Sequence, residues 1–389
     1  MKAIIIGAGI AGLAAAHALS RAGWEVAIHE RASGPRTGGY MIDFFGPGYD
    51  AAQTLGILDA LKARGHRIDA AHFLDEKGHV RSTLRYELAA RAAGGGKLVS
   101  LLRGDIESVL LEKLPGGVEL NYGSTATAID NRADGVTVRL ADGGEAEADL
   151  LVGADGIHSE VRRMVFGPEA DFVRYLGYHT AAYFFHDEAA ARAVGDGMRM
   201  LTVPNRFVGF YAIGDGRLAS FFVYRAATTE LPADPRATLR SIYGDLGWLV
   251  PAALAGAPEP HDIYYDVVAQ TQMPHWHRDR VALIGDAAYA VSLLAGQGAS
   301  LAVAGGNVLG QAMADGEVSA GLQRLEDQLR PLVLAKQLSG RRTANWFVPP
   351  TNAHIIFRDL FLRAVNNPLL VGLLGRYVGA SSKGFSLAR

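Results

Sequence analysis

Lys2-Ala3-Ile4-Ile5-Ile6-Gly7-Ala8-Gly9-Ile10-Ala11-Gly12 is the stretch that decides how this chain folds. Its first half is apolar and β-branched, as in a strand buried on both faces of a parallel sheet. Its second half is a G-x-G-x-x-G turn. Residues 13–22, rich in alanine and leucine, are expected to be helical, with Gly23 as the stop. Trp24-Glu25-Val26-Ala27-Ile28-His29 then reads as a second strand, closed by Glu30. In such a unit the first glycine permits a tight turn, the second lets the backbone approach a pyrophosphate, and the third lets helix and strand pack closely. The helix start offers free N–H groups to phosphates. Glu30, 18 residues beyond Gly12, is placed to accept hydrogen bonds from ribose hydroxyls. Lys2, the apolar run and Ala16-His17-Ala18 imitate a secretory leader. The division into strand and helix halves, with a second strand following, favours an adenine-dinucleotide site instead.

The whole chain is compatible with that start. Its 389 residues suggest two domains, or one large domain with insertions, and 49% apolar residues supply a sizeable core. A formal net charge of −2 gives no global attraction to nucleic acid or anionic membranes. There are no cysteines, which excludes disulfides, thiolate-held zinc or iron–sulfur clusters and a cysteine nucleophile. It also suits a reducing cytoplasm, the expected location. No uninterrupted apolar run reaches membrane-spanning length. The expected class is a soluble globular enzyme or binding protein.

Going outward, residues 31–48 are expected to be irregular and glycine-rich, carrying Arg36, Gly38-Gly39 and Asp43. That loop is either ordinary surface or a bed for the cofactor. Residues 49–63 have helical periodicity, and 72–81 read as a hairpin turned at Glu76-Lys77-Gly78. Residues 98–114 read as a helix, with Arg103 near a start where the helix dipole disfavours a cation. Either a nearby pyrophosphate or a salt bridge to Asp105 or Glu107 accounts for it. Strands are expected over 118–129, 135–140 and 149–153, the last running into Ala154-Asp155-Gly156 and a helix at 159–165.

From 168 to about 272 the chain changes character. Strand-like aromatic runs at 175–185, 198–203, 206–213 and 217–226 suggest an inserted antiparallel sheet, with a helix at 235–243. Tyr183, Phe185, Phe210, Tyr211, Phe221, Phe222 and Tyr224 fall on both strand faces, so alternation leaves open which set walls a substrate site. Residues 280–284 form another short strand, ending in Gly285-Asp286-Ala287-Ala288. Gly296-Gln297-Gly298 opens a helix running to 313, whose N–H groups suit negative charge on a reduced flavin ring. Helices are expected at 323–338, 355–365 and 369–378.

Other chemistries find no support. His275-Trp276-His277 has Asp279 nearby but no third histidine at ligand spacing. No G-x-S-x-G elbow or P-loop is present, and no basic patch interleaved with aromatics suits nucleic acid.

Three motifs together carry a family resemblance. They are Gly7-x-Gly9-x-x-Gly12 with Glu30-Arg31, Gly153-Ala154-Asp155-Gly156-Ile157-His158-Ser159, and Arg280-Val281-Ala282-Leu283-Ile284-Gly285-Asp286-Ala287-Ala288 with Gly296-Gln297-Gly298. In order and spacing the chain resembles the class A FAD-dependent aromatic hydroxylases, the flavoprotein monooxygenases of the p-hydroxybenzoate hydroxylase fold. Its wording is similar to the tetracycline-inactivating and polyketide-hydroxylating branches. The resemblance implies an α/β fold: a discontinuous Rossmann-like FAD-binding domain (1–72, 98–167 and 273–330), an antiparallel-sheet substrate domain (73–97 and 168–272) and C-terminal helices (331–389). It implies that Gly7, Gly9, Ala11 and Gly12 hold the FAD pyrophosphate and Glu30-Arg31 the adenosine end. Arg36, Asp43 and Arg103 would line FAD, and Asp155-Gly156 would serve FAD and a passing NADPH or NADH. Gly285-Asp286 would bind the ribityl or pyrophosphate region, and Gly296, Gln297 and Gly298 would lie against the isoalloxazine ring, with Leu293 beside it.

The implied activity is NAD(P)H-dependent hydroxylation of a multi-ring aromatic or polyketide-like small molecule with O2, through a flavin C4a-hydroperoxide. No nucleic-acid, metal or membrane-spanning partner is implied; a monomer or homodimer is expected. Where the family commonly has His, Pro and Asn, this chain has Tyr289, Leu293 and Ser300. Leu293 in place of that proline keeps a non-oxygenating flavoenzyme (oxidase, dehydrogenase or cyclisation catalyst) open, and a non-catalytic FAD- or drug-binding protein is a third reading.

Overall fold

The structure, a computed structural model, describes residues 1–35, 40–86 and 97–366. Among these the strands begin with β1 (Lys2–Ile6), β2 (Glu25–Glu30), β3 (Met41–Phe45), β4 (Ala70–Leu74), β5 (Val80–Arg85) and β6 (Leu98–Leu102). Then come β7 (Glu119–Tyr122), β8 (Ala126–Asn131), β9 (Val136–Leu140), β10 (Glu145–Ala148), β11 (Leu150–Gly153) and β12 (Val173–His186). The last are β13 (Met198–Val203), β14 (Arg206–Gly214), β15 (Arg217–Arg225), β16 (Tyr264–Thr271), β17 (His277–Arg278) and β18 (Val281–Leu283).

The opening motif builds the first sheet, in the order β17-β18-β11-β1-β2-β7. β1 pairs in parallel with both β2 and β11, and β11 with β18. Ile4 and Ile5 are wholly buried, as a strand covered on both faces requires. The helix after the turn runs Ile10–Arg21, starting three residues early because Gly9 in extended backbone caps it and the rest of the turn joins it. Against it lies the helix Gly298–Ala312. A Cβ on Gly306 would sit 2.5 Å from the Ala15 backbone N, and one on Gly310 would sit 2.4 Å from Ala18 Cβ. Only a seam of glycine and alanine permits this approach, which sets the two glycine-flanked helix starts side by side.

The second sheet has the order β16-β12-β15-β14-β13-β4-β5. Its four central strands coincide with the expected aromatic runs, and the β4–β5 hairpin is spliced on through a parallel β4–β13 pairing. β16 was not expected: Val267, Val268 and Ala269 are consecutive rather than alternating, so they carry no period-2 signal.

Several expectations are corrected. Residues 98–114 are not one helix but β6 followed by the helix Arg103–Glu112, because β6 pairs antiparallel with β3, a partner distant in sequence. The same pairing corrects the irregular reading over 41–48, which holds β3 and the start of the helix Pro47–Thr54, while residues 31–35 are irregular as expected. The 49–63 pattern is divided between Pro47–Thr54 and Leu58–Arg64, with Gly56 at φ +74° between them. Gly123, at φ +68°, splits 118–129 into β7 and β8, and β8 joins the separate β10-β9-β8 meander. The 323–338 helix extends over Val318–Phe347 despite Pro331. Thr351 caps Asn352–Val365, and the helix expected at 369–378 lies outside the described residues. Among the described residues no helix is long and apolar enough to cross a membrane.

The ambiguity over the aromatics is resolved by packing. Tyr183, Phe185, Phe210 and Phe222 form a core with Tyr243, Leu239 and Val250 of the covering helices, and Tyr224 packs against that core. Tyr211 and Phe221 point the other way, toward the β3 region: Tyr211 Oη accepts the Met41 N–H, and the Phe221 ring lies 5.7 Å from that of Tyr40.

Candidate functional site

The glycine turn divides its labour as its residue types demand. Gly7, at φ +105°, has no room for a Cβ, which would meet Ala154 O at 2.5 Å; a Cβ on Gly12 would fall 1.9 Å from Gly7 O. Gly9 is open: among the described residues the only atom near its absent Cβ is Glu107 Oε1, at 3.9 Å. The turn is therefore closed toward the sheet and open toward the cleft, the shape a pyrophosphate needs. The Glu30 carboxylate accepts from the backbone N–H groups of Ala8 (2.8 Å) and Ala32 (2.9 Å), tying the end of β2 to the turn. Each oxygen keeps acceptor capacity for a sugar hydroxyl. Arg31 is exposed just beyond β2. Arg36 and Gly38-Gly39 lie outside the described residues.

Across the cleft stands Arg103. Of the partners the sequence offered for it, the structure supplies Glu107 rather than Asp105: its guanidinium lies 2.9 Å from Glu107 Oε1. Its backbone N–H donates to Tyr40 O at 2.9 Å. Burial works against its charge, but Glu107, with Tyr40, Tyr264 and Asp286, raises its pKa overall. Gly285, at φ +61°, would place a Cβ 2.6 Å from that of Ala11, so the β18 turn and the opening turn touch. A Cβ on Gly298 would lie 3.8 Å from Asp286 Oδ1, which puts Asp286 at the start of the helix Gly298–Ala312. Asp286 keeps exposed surface although protein surrounds it, as on the wall of a deep cleft. Burial raises its pKa, Arg103 opposes that, and Asp266 adds to it. Gly296 is left-handed and exposed, Gln297 precedes the helix, and Leu293 opens a 3₁₀ turn. Ser292, just before it, has φ +109°, a conformation costing a non-glycine residue about 1–3 kcal/mol. Tyr289 Oη occupies the position where Gly305 would carry a Cβ (1.9 Å), so the tyrosine at this position is matched by a glycine opposite.

Two expected residues turn their carboxylates inward. Asp43 accepts from Tyr86 Oη (2.5 Å) and Ser100 Oγ (2.7 Å). Burial raises its pKa and these bonds oppose the rise. Asp155 accepts from Ser159 Oγ (2.5 Å) and from the N–H groups of Glu160 and Val161, fixing the helix Glu160–Val165. Gly156, at φ +85°, lies in that loop with open space about it.

Sequence reasoning missed the residue that joins this loop to the Asp286 loop. Arg162 is wholly buried; Nη1 donates to Ala287 O (3.0 Å) and Nη2 to Ile157 O (2.6 Å). Its helix reads as unremarkable surface in sequence, so no local pattern marks it. Tyr40 and Tyr264 were missed too: their rings lie 5.7 Å apart only because β16 and the start of β3 meet across the cleft.

His158 links the same loop to the second sheet. Its Nδ1 lies 3.1 Å from both Glu169 oxygens and its Nε2 3.5 Å from Asp266 Oδ1. The bond to Asp266 raises its pKa to about 9, burial opposing and Glu169 assisting. A pKa raised from 6.5 means that this link is complete below about pH 6.5 and is lost as pH rises through about 9. The imidazole is half exposed, so the gain stays below about 1 kcal/mol. His158→Gln is expected to lower the melting temperature at pH 6 and to match the parent at pH 10. Equal differences at both pH values would refute the link.

Among the described residues no cluster of three or more His, Cys, Asp or Glu could hold a metal. The glycine cradle, Arg103, Glu30 and Asp286 do suit FAD, whose phosphates and sugar hydroxyls match these donors and acceptors.

Comparison with known proteins agrees with this geometry. A family profile described as FAD binding domain matches residues 1–169. An uncharacterized protein of Mycobacterium tuberculosis is 34% identical over 333 residues, covering 79% of this chain and 84% of its own length. A flavin-dependent monooxygenase of an unknown prokaryotic organism is 30% identical over 348 residues, covering 87% and 88%. Among solved structures, tetracycline destructase Tet(55) superposes with a TM-score of 0.82 at 25% identity, covering 100% of this chain and 98% of its own. Klebsiella pneumoniae HpxO, complexed with FAD and uric acid, gives 0.81 at 25% identity over 98% and 97%.

Proposed function

This chain belongs to the FAD-dependent monooxygenases, and on that premise we propose that it hydroxylates a flat, multi-ring aromatic or polyketide-like small molecule, taking electrons from NADPH or NADH. The observation that carries the reading is the aromatic wall between the two sheets. Tyr40 lies 5.7 Å from Phe221 and 5.7 Å from Tyr264, and the Tyr264 side is exposed to the cleft. Such faces stack on planar rings and exclude water from the reacting atoms. Burial, opposed by the charge of Arg103 and assisted by that of Asp286, raises the Tyr40 hydroxyl pKa to about 12, so it stays a neutral hydrogen-bonding group at working pH.

Bound FAD supplies the redox and oxygen chemistry. The chain's part is to hold it: the turn at Gly7, Gly9 and Gly12 and the Arg103 guanidinium for the pyrophosphate, Glu30 for the ribose, Asp286 for the sugar chain. The start of the helix Gly298–Ala312 offers N–H groups to negative charge on the ring system. The likeness to a tetracycline destructase makes tetracycline-type polyketides the first substrates to try.

The test is oxidation of NAD(P)H over a panel of polycyclic phenols that includes tetracyclines, with O2 uptake and product mass. Stimulated oxidation with a product one oxygen atom heavier supports the reading. Flavin reduction by substrate alone, without nicotinamide, would replace it with an oxidase or dehydrogenase; a yellow protein that never turns over would replace it with a sequestering role. With a substrate found, Phe221→Ala should raise KM about tenfold through loss of about 1.4 kcal/mol of ring contact, with FAD content unchanged. An unaltered KM would remove the aromatic wall from the substrate site.

A further inference from the structure

We propose that Glu107 is itself a FAD ligand, its Oε1 accepting a hydrogen bond from a sugar hydroxyl that flanks the pyrophosphate. The proposal rests on FAD as the cofactor and is independent of the substrate.

Glu107 follows Arg103 by one turn of the helix Arg103–Glu112, so both side chains leave the same face. It is 7% exposed. A buried carboxylate is costly unless it is both charge-paired and hydrogen-bonded. At Oε1 only the first condition is met. The Arg103 guanidinium is 2.9 Å from Oε1 but off the line a hydrogen bond needs, and Oε1 has no donor among the described residues. On its other side lies the open face of the phosphate turn: among the described residues, Oε1 is the single atom within 4 Å of the point where Gly9 would carry a Cβ. The oxygen therefore overlooks the space between Gly9 and Arg103, where the cradle fits a pyrophosphate.

The chemistry of the two partners narrows the contact. An ionised carboxylate only accepts. A pyrophosphate only accepts as well, and would repel it. The donors bordering a pyrophosphate in FAD are the hydroxyls of the adenosine ribose on one side and of the ribityl chain on the other. The field of Glu107 extends toward both ends of the site. Tyr122, paired with Glu30 in the β2–β7 register, has its pKa raised by burial and then by Glu30 and Glu107, and the field of Glu107 also reaches Tyr40 beside Arg103.

The experiment measures FAD affinity of apoprotein by flavin fluorescence quenching for the parent, Glu107→Ala, Arg103→Ala and the double variant, with ADP and FMN as half-ligands. Glu107→Ala should weaken FAD about 10- to 100-fold. It should also weaken FAD at least about fivefold further in the Arg103→Ala background, because the hydroxyl contact does not pass through the arginine. Glu107→Gln, which keeps an acceptor oxygen, should lose less than about tenfold. A loss confined to ADP assigns the adenosine ribose, and one confined to FMN assigns the ribityl chain. Unchanged or tighter FAD binding by Glu107→Ala overturns the proposal, as does a double variant no weaker than Arg103→Ala, which would leave Glu107 merely positioning the arginine. Apoprotein melts check folding; where Glu107→Ala does not fold, Glu107→Asp, which draws the carboxylate back by one methylene, is read in the same two backgrounds. Failure of the parent to bind FAD would instead refute the cofactor.

Discussion

Arg162→Ala is expected to destabilise the protein by about 3 kcal/mol and to weaken FAD binding without touching any residue of the glycine turn. The side chain is wholly buried and spans two loops, from Ile157 O in the Asp155-Gly156 segment to Ala287 O beside Asp286. Removing it strands two carbonyls, each worth about 1–3 kcal/mol when left unsatisfied, and opens a cavity the size of a guanidinium. Its ion pair with Glu169, at 3.2 Å, adds less, because that carboxylate is 41% exposed. With both loops released, Asp286 loses its fixed place at the start of the helix Gly298–Ala312. Arg162→Lys keeps the charge but lacks the fork that reaches both carbonyls, so it should fall between parent and alanine variant. Thermal melts of apo and FAD-loaded protein decide the matter: a shift of less than about 2 °C in both would show that the bridge is dispensable.

Gly12→Ala should be more damaging to cofactor binding than any other single-methyl addition in the turn. The new Cβ would lie 1.9 Å from Gly7 O, a backbone atom that no rotamer change can move away. Relief requires the helix Ile10–Arg21 to lift from β1, at a cost of about 3 kcal/mol or more, and that disperses the N–H groups aimed at the pyrophosphate. FAD affinity should fall beyond measurement. Gly9→Ala supplies the contrast. Its Cβ meets nothing closer than Glu107 Oε1 at 3.9 Å, so the fold should persist while the methyl group stands where the phosphate must come. FAD titrations and melts of the two variants separate the roles. Parental FAD affinity in Gly12→Ala would show that helix–strand contact is not what that glycine serves.

The two glycines also mark what was legible before folding. The β1-turn-helix unit, the Asp155-Gly156 loop and the Gly285-Asp286 turn are readable because their geometry is local: a few residues of defined type impose φ, helix start and strand end. The central strands of the second sheet were equally readable, since runs of β-branched and aromatic residues bounded by turn residues need no partner to be recognised.

The sequence by itself therefore determined that a dinucleotide-binding sheet exists and that an antiparallel aromatic sheet is inserted in it, and its three glycine-flanked turns carried the family resemblance that implied FAD. Only the tertiary structure decided which side of the aromatic sheet meets the cleft, since alternation has two faces and no sign. It alone turned 98–102 from helix to strand, because β3 supplies a partner that propensity cannot foresee. It alone buried Arg162 between two loops, and it left Glu107 Oε1 facing Gly9 without a donor. These are long-range facts: charge and hydrogen-bond satisfaction depend on what packs nearby in space, and the neighbours involved lie from tens of residues to more than a hundred away in the chain.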